Sequence, residues 1–445
     1  MPTKLDQIPD FMLKCGEDAA KENVSLMKFQ IGPFLVILPM DHEAVKNILN
    51  SNVELTKGRD YSFFEQWLGP GLLLGDGERW QKARKMATPA FHFSKLDEYA
   101  QTIDYHCRTL VDILKKETNK NINMYNYIKL CALDIIADTT MGVQLNAQQN
   151  SDQPYVHAVE EFNRLACYRS LRTFLRPDFM WSLTGYAREQ NKSVKILHSF
   201  TEKVIKERME VYKQDTDGLN QQRPNFLDLM LQLKDSEKLS EEHLREEVDT
   251  IVFAGHDTTA HALSWAVWCF ATHPEIQQRV YDELIEHFGE SDSGFCTKQL
   301  KELKYFDMCF KEVLRLFPPV PAVQRFIKNE LEMCGHVIPR LTSLTIPIIL
   351  LHRNPRVFKE PNVFNPENFA DGKEYPALGF IPFSAGPRNC VGQKFAKMEV
   401  KIMLAHLLFN FRVETDTKFE DNKMMFEVVL RPSLGVPVRL VKRNH

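Results

Sequence analysis

The stretch Phe383-Ser-Ala-Gly-Pro-Arg-Asn-Cys-Val-Gly392 sets four unlike residue types around a single cysteine. Phe383 supplies an aromatic wall, and Gly386 lets the backbone turn tightly. Arg388 is a cation two residues before Cys390, and Gly392 allows close approach just after it. From Gln393 to Phe409, apolar residues at Phe395, Met398, Ile402, Leu404, Leu407 and Leu408 keep nearly helical spacing. Cys390 is therefore expected at or just before a helix N-terminus, where the dipole and free N–H groups favour a thiolate over a thiol. A cysteine alone in a turn would read as a free or buried thiol. The surrounding positions are what point further.

The pattern Phe-x-x-Gly-x-Arg-x-Cys-x-Gly resembles the haem-binding loop of the cytochrome P-450 superfamily. The longer run from Pro382 to Ala396 (PFSAGPRNCVGQKFA) is most similar to the family 4 branch of lipid ω-hydroxylases. The resemblance implies a cytochrome P-450 fold and a b-type haem with the Cys390 thiolate as axial ligand to its iron. Such a ligand pushes electron density onto the metal and favours O–O cleavage. Phe383 and Arg388 are then expected beside the cofactor.

The chain has 445 residues, 44% hydrophobic and 26% charged, with a net charge of −3. That suffices for a large core, and near-neutrality argues against nucleic acid as a partner. No low-complexity linker or internal repeat divides the chain, so residues 1–445 read as one domain, with 214–224 (QDTDGLNQQRP) as a polar surface loop. Nine cysteines lie without CxxC or CxxH spacing, which suggests neither a zinc site nor a disulfide framework. The start of the chain carries no run of 18 or more apolar residues. Ile31 to Met40 is too short to span a bilayer and, with Leu26 to Gln30 and the Gly32-Pro33 pair, suggests a β-hairpin. The membrane anchor usual in animal relatives of this family is thus not visible.

Asp41 looks like the N-cap of a helix through Leu49, and Glu78 to Ala87 reads as a short helix after the glycine-rich stretch Gly69 to Gly77. Three- and four-residue apolar spacing predicts several helices over 96–142 and 155–212, the second region broken near Pro177. Leu300 to Phe317 reads as one helix stopped by Pro318-Pro319. Short strands are expected between Pro321 and Ile349, and a closing hairpin over Phe426 to Val441. The class is mainly α with a small β subdomain.

The longest helix expected runs from an N-cap at Ser240 to Thr272, before His273-Pro274. At 1.5 Å per residue it is roughly 50 Å long. Between Ile251 and Ala271 its only carboxylate is Asp257, within Ala254-Gly255-His256-Asp257-Thr258-Thr259. Gly255 removes a side chain and allows a flat cofactor to approach. Thr258 can hydrogen-bond a carbonyl one turn back and leave a polar notch. Cleaving bound dioxygen needs two protons in a site that otherwise excludes water, and an acid–alcohol pair can supply them. The segment resembles the oxygen-activation helix of cytochromes P-450, with Asp257 and Thr258 as its acid and alcohol. Many family 4 members carry a glutamate, esterified to the haem, where this chain has Ala254. Alanine cannot form that bond, so non-covalent haem is expected.

Glu312-Val-Leu-Arg315 puts an acid and a cation on one helical face, some 75 residues before Cys390. It resembles the Glu-x-x-Arg pair that organises the thiolate side of the haem in this family. The arginine that usually completes the pair is replaced by Asn368 in Pro366-Glu367-Asn368-Phe369. Trp80 and Arg84, four residues apart, resemble the family's propionate-binding pair, and Arg325 is a further propionate candidate. A propionate needs such cations because burying it unpaired is costly.

No nucleotide-binding glycine motif or flavin domain is visible, so electrons must come from another protein. The resemblance implies NADPH–cytochrome P-450 reductase, and cytochrome b5 as a second donor. Arg79, Lys82, Arg84, Lys85, Lys394 and Lys397 are cations suited to an acidic partner. It also implies a monooxygenase that inserts one atom of dioxygen into a C–H bond of a lipophilic molecule, such as a long-chain fatty acid. The expected location is the cytosolic face of the endoplasmic reticulum, with peripheral membrane contact through the apolar region 174–183. A haem-thiolate isomerase and a non-catalytic haem or lipid carrier stay open as alternatives. The intact Asp257-Thr258 pair argues against the isomerase.

Overall fold

A computed structural model of the chain describes residues 7–443, apart from 32, 151, 215–223, 235, 291–293, 296 and 377. The loop expected over 214–224 therefore lies almost wholly outside the described residues. The hairpin expected near the start forms: Leu26–Ile31 pairs antiparallel with Phe34–Pro39, Leu26 facing Pro39. Phe34–Pro39 then pairs in parallel with Thr342–Ile346, which pairs antiparallel with Val323–Ile327. Along Val323–Ile327 buried and half-buried positions alternate, as strand geometry requires. That alternation puts Arg325 on the covered face between Val323 and Ile327. The apolar core behind the sheet includes Ile37, Val45, Ile48, Leu49, Leu344 and Leu351.

The described residues fall into two compact units. One comprises Met1–Gly58, Ile103–Ile128 and Thr258–His445; the other comprises Arg59–Thr102 and Lys129–Asp257. Every described strand belongs to the first unit, and the second is built of helices. No helix among the described residues is long and apolar enough to cross a membrane.

In the first unit, helix His42–Leu49 begins where expected, with Asp41 Oδ1 accepting the Ala44 N–H at 2.9 Å. Two expectations are corrected. The helix read over 300–317 is split into Thr297–Leu300 and Lys304–Leu316. The cause is a distant acid: the Glu283 carboxylate accepts the N–H groups of Tyr305 and Phe306 at 2.9 and 2.8 Å, capping a fresh helix start. The closing hairpin over 426–441 does not form as one. Leu430–Pro432 pairs with Met424–Phe426, whereas Pro437–Lys442 joins a sheet with Asn121–Asn123 and Phe411–Glu414. The chain turns between them at Gly435, with φ +67°, where a Cβ would stand 2.5 Å from the Asn123 amide. Asn123 Oδ1 in turn accepts the Val436 N–H at 2.9 Å.

In the second unit, helix Pro154–Ser170 packs along Gly185–Gln214, with short Asp178–Ser182 between them after Pro177. Helix Phe226–Leu233 starts with a capping box between Asn225 and Asp228. Asp228 also takes a two-pronged ion pair from Arg208, at 2.8 and 2.7 Å. The long helix forms over Glu241–Thr272, with Ser240 Oγ accepting the His243 N–H at 3.0 Å. Its residues through Asp257 belong to the second unit and those from Thr258 onward to the first.

Candidate active site

The cysteine loop is pinned by its own backbone. Cys390 donates its N–H to the Phe383 carbonyl at 3.0 Å, and Asn389 donates to Gly386 at 3.1 Å. Gly386 has φ +69°, and a Cβ there would stand 1.8 Å from the Leu49 carbonyl oxygen, so only glycine fits. Ser384 shares the left-handed region at φ +58° without that freedom. Helix Gln393–Asn410 starts from a cap at Gly392, two residues past Cys390. Cys390 is exposed, whereas Cys107, Cys131, Cys269 and Cys309 are buried. The Lys397 ammonium lies over the Phe383 ring, 5.3 Å from its centroid.

Three cations meet near this loop in the first unit. Arg388 is buried and donates from Nε to the Leu55 carbonyl at 3.1 Å. Thr56 accepts the Phe326 N–H at 2.9 Å, and a Cβ on Gly58 would stand 2.4 Å from Gln324, so residues 55–58 lie tightly on strand Val323–Ile327. That packing brings partly buried Lys57 beside Arg325, which is 1% exposed. The Lys57 ammonium is pushed well below the ordinary lysine range, by burial first and then by the charges of Arg325 and Arg388. Mutually repelling cations in a covered place fit a group carrying two carboxylates, as the propionate edge of haem does. Lys57 carries no motif, and only its packing against a strand far along the chain reveals it.

The long helix has an open stripe of its own. From Ile251 to Ala271 every residue is buried except Ala254, Gly255 and Thr258, which lie at i, i+1 and i+4 on one face. At Gly255 the structure shows a demand that the sequence did not disclose. A Cβ there would meet Ile136 Cδ1 at 2.3 Å, so the glycine lets the end of helix Tyr125–Ile136 pack in. Asp257 is buried, and Asn163 Nδ2 donates to its Oδ2 at 3.0 Å. In the same unit Trp80 is buried and Arg84 half-buried on helix Gly77–Ala87. Two cations assigned to a partner surface are already matched by acids, Arg79 with Glu246 and Lys82 with Glu237. Thus Trp80, Arg84, Gly255 and Asp257 belong to the second unit, and Thr258, Arg325, Phe383, Arg388 and Cys390 to the first.

Behind the loop, Glu312 and Arg315 are fully buried and joined by two hydrogen bonds of 2.7 Å. Arg315 also donates to the carbonyls of His352, Pro361 and Val363. Asn368 does reach Glu312, its Nδ2 donating to Oε1 at 3.1 Å. One hydrogen bond from an uncharged amide thus stands where the family's pattern has a second guanidinium. His352, which no motif marks, accepts the Ile381 N–H at 2.8 Å and so ties this cluster to the start of the cysteine loop.

Residues 7–438 match the Cytochrome P450 family. The chain is 40% identical over 438 residues to Cytochrome P450 4V2 of Pongo abelii and 39% identical over 438 residues to that of Homo sapiens. Each match covers 95% of this chain and 83% of the relative. Cytochrome P450 4c3 of Drosophila melanogaster is 37% identical over 429 residues, covering 92% of this chain and 80% of the relative. With a family match across nearly its whole length and the glycine-pinned cysteine loop in place, the chain belongs to the cytochrome P-450 family, whose members are monooxygenases built on a cysteine-ligated haem b.

Proposed function

We propose that Cys390 is the haem ligand of this monooxygenase and that its substrate is a long-chain fatty acid or related lipid. The observation carrying the first assignment is the Cys390–Phe383 backbone bond, which closes a loop that only Gly386 permits, just before a helix start. The haem, once held there, supplies dioxygen binding and O–O cleavage. The chain's own residues bind, orient and handle protons. Arg325 and Arg388, with Lys57 beside them, hold a propionate edge, and Trp80 and Arg84 are propionate contacts by their resemblance to the family's pair. Asp257, buried and oriented by Asn163, is the proton donor, and Thr258 on the open stripe places that proton. Ala254 leaves no carboxylate for an ester, so the haem is bound without a covalent link.

The lipid assignment rests on the likeness to family 4 relatives. Members of the family take electrons from a redox partner and act with dioxygen on lipophilic molecules. NADPH–cytochrome P-450 reductase, with cytochrome b5 as an additional donor, is the pair that fits this chain. The setting is the cytosolic face of the endoplasmic reticulum. Exposed Phe174, Phe179, Met180 and Leu183 in the second unit offer the membrane contact. Residues 1–445 act as one catalytic domain.

Purified holoenzyme supplied with reductase, NADPH and dioxygen should hydroxylate a panel of fatty acids. Products from non-lipid compounds alone would refute the substrate class. Cys390→Ala should lose the thiolate-type spectrum of the reduced carbon-monoxide complex. Acid–acetone should extract the haem completely, and pigment left on the polypeptide would contradict non-covalent binding.

A further inference from the structure

Asn163 is an amide in an apolar place. On helix Pro154–Ser170 it shares a buried stripe with Val156, Val159 and Ala166, the four lying in order at i, i+3, i+7 and i+10. It is 5% exposed. Its Nδ2 donates to Asp257 Oδ2 at 3.0 Å, and its Oδ1 has no hydrogen-bond partner among the described residues. A leucine would fill a similar volume and leave no buried carbonyl oxygen unmatched. Keeping an amide there has a cost that packing alone does not offset. The one side-chain hydrogen bond described for it goes to Asp257.

Four rings beside this bond set the distance between the two helices. Phe162, next to Asn163, meets Phe64 and Trp67 with ring centroids 5.5 and 5.0 Å away. Phe253, one turn before Asp257, meets the same two rings at 6.4 and 4.7 Å. Phe64 and Trp67 thus join Phe162 on one helix to Phe253 on the other, all within the second unit. Packed rings of this size give a firm frame. Asn163 and Asp257 are short side chains on that frame, so their separation is fixed by packing.

The bond treats the two oxygens of Asp257 unequally. An amide N–H is held more strongly by a carbonyl or ionised oxygen than by the hydroxyl oxygen of an acid. Oδ2 is therefore the carbonyl oxygen of the protonated acid, and the proton sits on Oδ1. When that proton leaves toward Thr258, the bonding pair stays on the carboxylate. The Asn163 bond then strengthens, because its acceptor has become charged. A proton from water later restores the acid, and no electron moves.

We propose that Asn163 is a positioning residue for proton delivery, confining the proton of Asp257 to Oδ1 and stabilising the carboxylate left behind. The inference rests on the role given to Asp257 above. A side chain on helix Pro154–Ser170 thereby sets how readily an acid on the long helix gives up its proton.

The test is Asn163→Leu in the holoenzyme, with the reduced carbon-monoxide spectrum and thermal stability as checks that the fold and cofactor site persist. Peroxide released per NADPH should rise roughly tenfold, the difference between a hydrogen bond to a charged acceptor and one to a neutral acceptor. The solvent isotope effect on product formation should grow, because proton donation becomes slower. Asn163→Ala, which adds no bulk, should behave likewise and serves alone if the leucine variant does not fold. Infrared difference spectra at acid pH give a reading independent of turnover. The Asp257 carboxylic-acid C=O band, identified by its loss in Asp257→Asn, should move to higher frequency once Oδ2 loses its donor. An unmoved band, or wild-type coupling and isotope effect in both Asn163 variants, overturns the assignment. Asn163→Leu/Asp257→Asn should couple no worse than Asp257→Asn alone, and additive losses would show that Asn163 acts elsewhere. If Asp257→Asn uncouples while the Asn163 variants do not, only this inference fails. If Asp257→Asn stays coupled, the assignment of Asp257 fails with it.

Discussion

Glu312 is the residue on which the scaffold behind the cysteine loop depends. Its Oε1 accepts from Arg315, the Asn365 backbone and Asn368, and its Oε2 accepts from the Arg315 Nε. Removing one partner of so deeply buried a pair leaves a bare charge. Arg315→Ala should therefore cost about 3–5 kcal/mol, measured as thermal stability of the holoprotein. Asn368→Ala removes a single hydrogen bond to the charged Glu312 carboxylate and should cost about 1.5–3 kcal/mol. Stability equal to wild type in Arg315→Ala would show that the pair is idle. His352 yields a pH prediction. Burial, with the charges of Arg315 and Arg353, pushes its imidazole down to about 3, against an ordinary value of 6.5. The unfolded chain therefore binds a proton that the folded chain refuses between those values, so stability falls as pH drops below 6.5. The slope should approach about 1.4 kcal/mol per pH unit, and His352→Asn should flatten it in denaturant titrations. Glu312 and Arg315 were legible in sequence because they lie at i and i+3. His352 follows a run of aliphatic residues, and nothing in its spacing signals the backbone N–H that it accepts.

At the level of helices and strands, near neighbours were legible and far ones were not. The first hairpin, the Asp41 and Ser240 caps and the helix after Cys390 all depend on residues close in sequence, and each formed as expected. The split before Lys304 depends on Glu283, and the parting of the closing strands depends on Asn123, more than three hundred residues upstream of Val436. No local pattern encodes either. Lys57 is a similar case, since it gains meaning only from the strand under it. Gly255 shows how one residue can satisfy two demands, being half-exposed on the open stripe while the space where its side chain would go holds Ile136. Gly255→Ala should then destabilise by about 1–3 kcal/mol through overpacking. The double variant Gly255→Ala/Ile136→Ala should recover part of that loss. Additive costs in a double-mutant cycle would mean that the two side chains do not compete.

Across the whole molecule, the backbone passes from one unit to the other after residues 58, 102, 128 and 257. Helices Phe93–Leu114, Tyr125–Ile136 and Glu241–Thr272 each continue through one of those points. Neither unit is a contiguous stretch that could fold from its own segment. Heat should therefore melt the holoprotein in one transition, with far-ultraviolet dichroism and tryptophan fluorescence coinciding, and two resolved transitions would count against this. The mainly α class with a small β part was readable beforehand from apolar spacing. The interleaving was not, because it is a property of contacts between segments. The gathering of Lys57, Arg325 and Arg388 bears on how the polypeptide is made. Cationic side chains packed this close repel one another, so carboxylates of a pigment that settle among them should favour the folded chain and raise the share that survives cellular quality control. Cells starved of porphyrin should accumulate little of this polypeptide, even when its messenger RNA is plentiful.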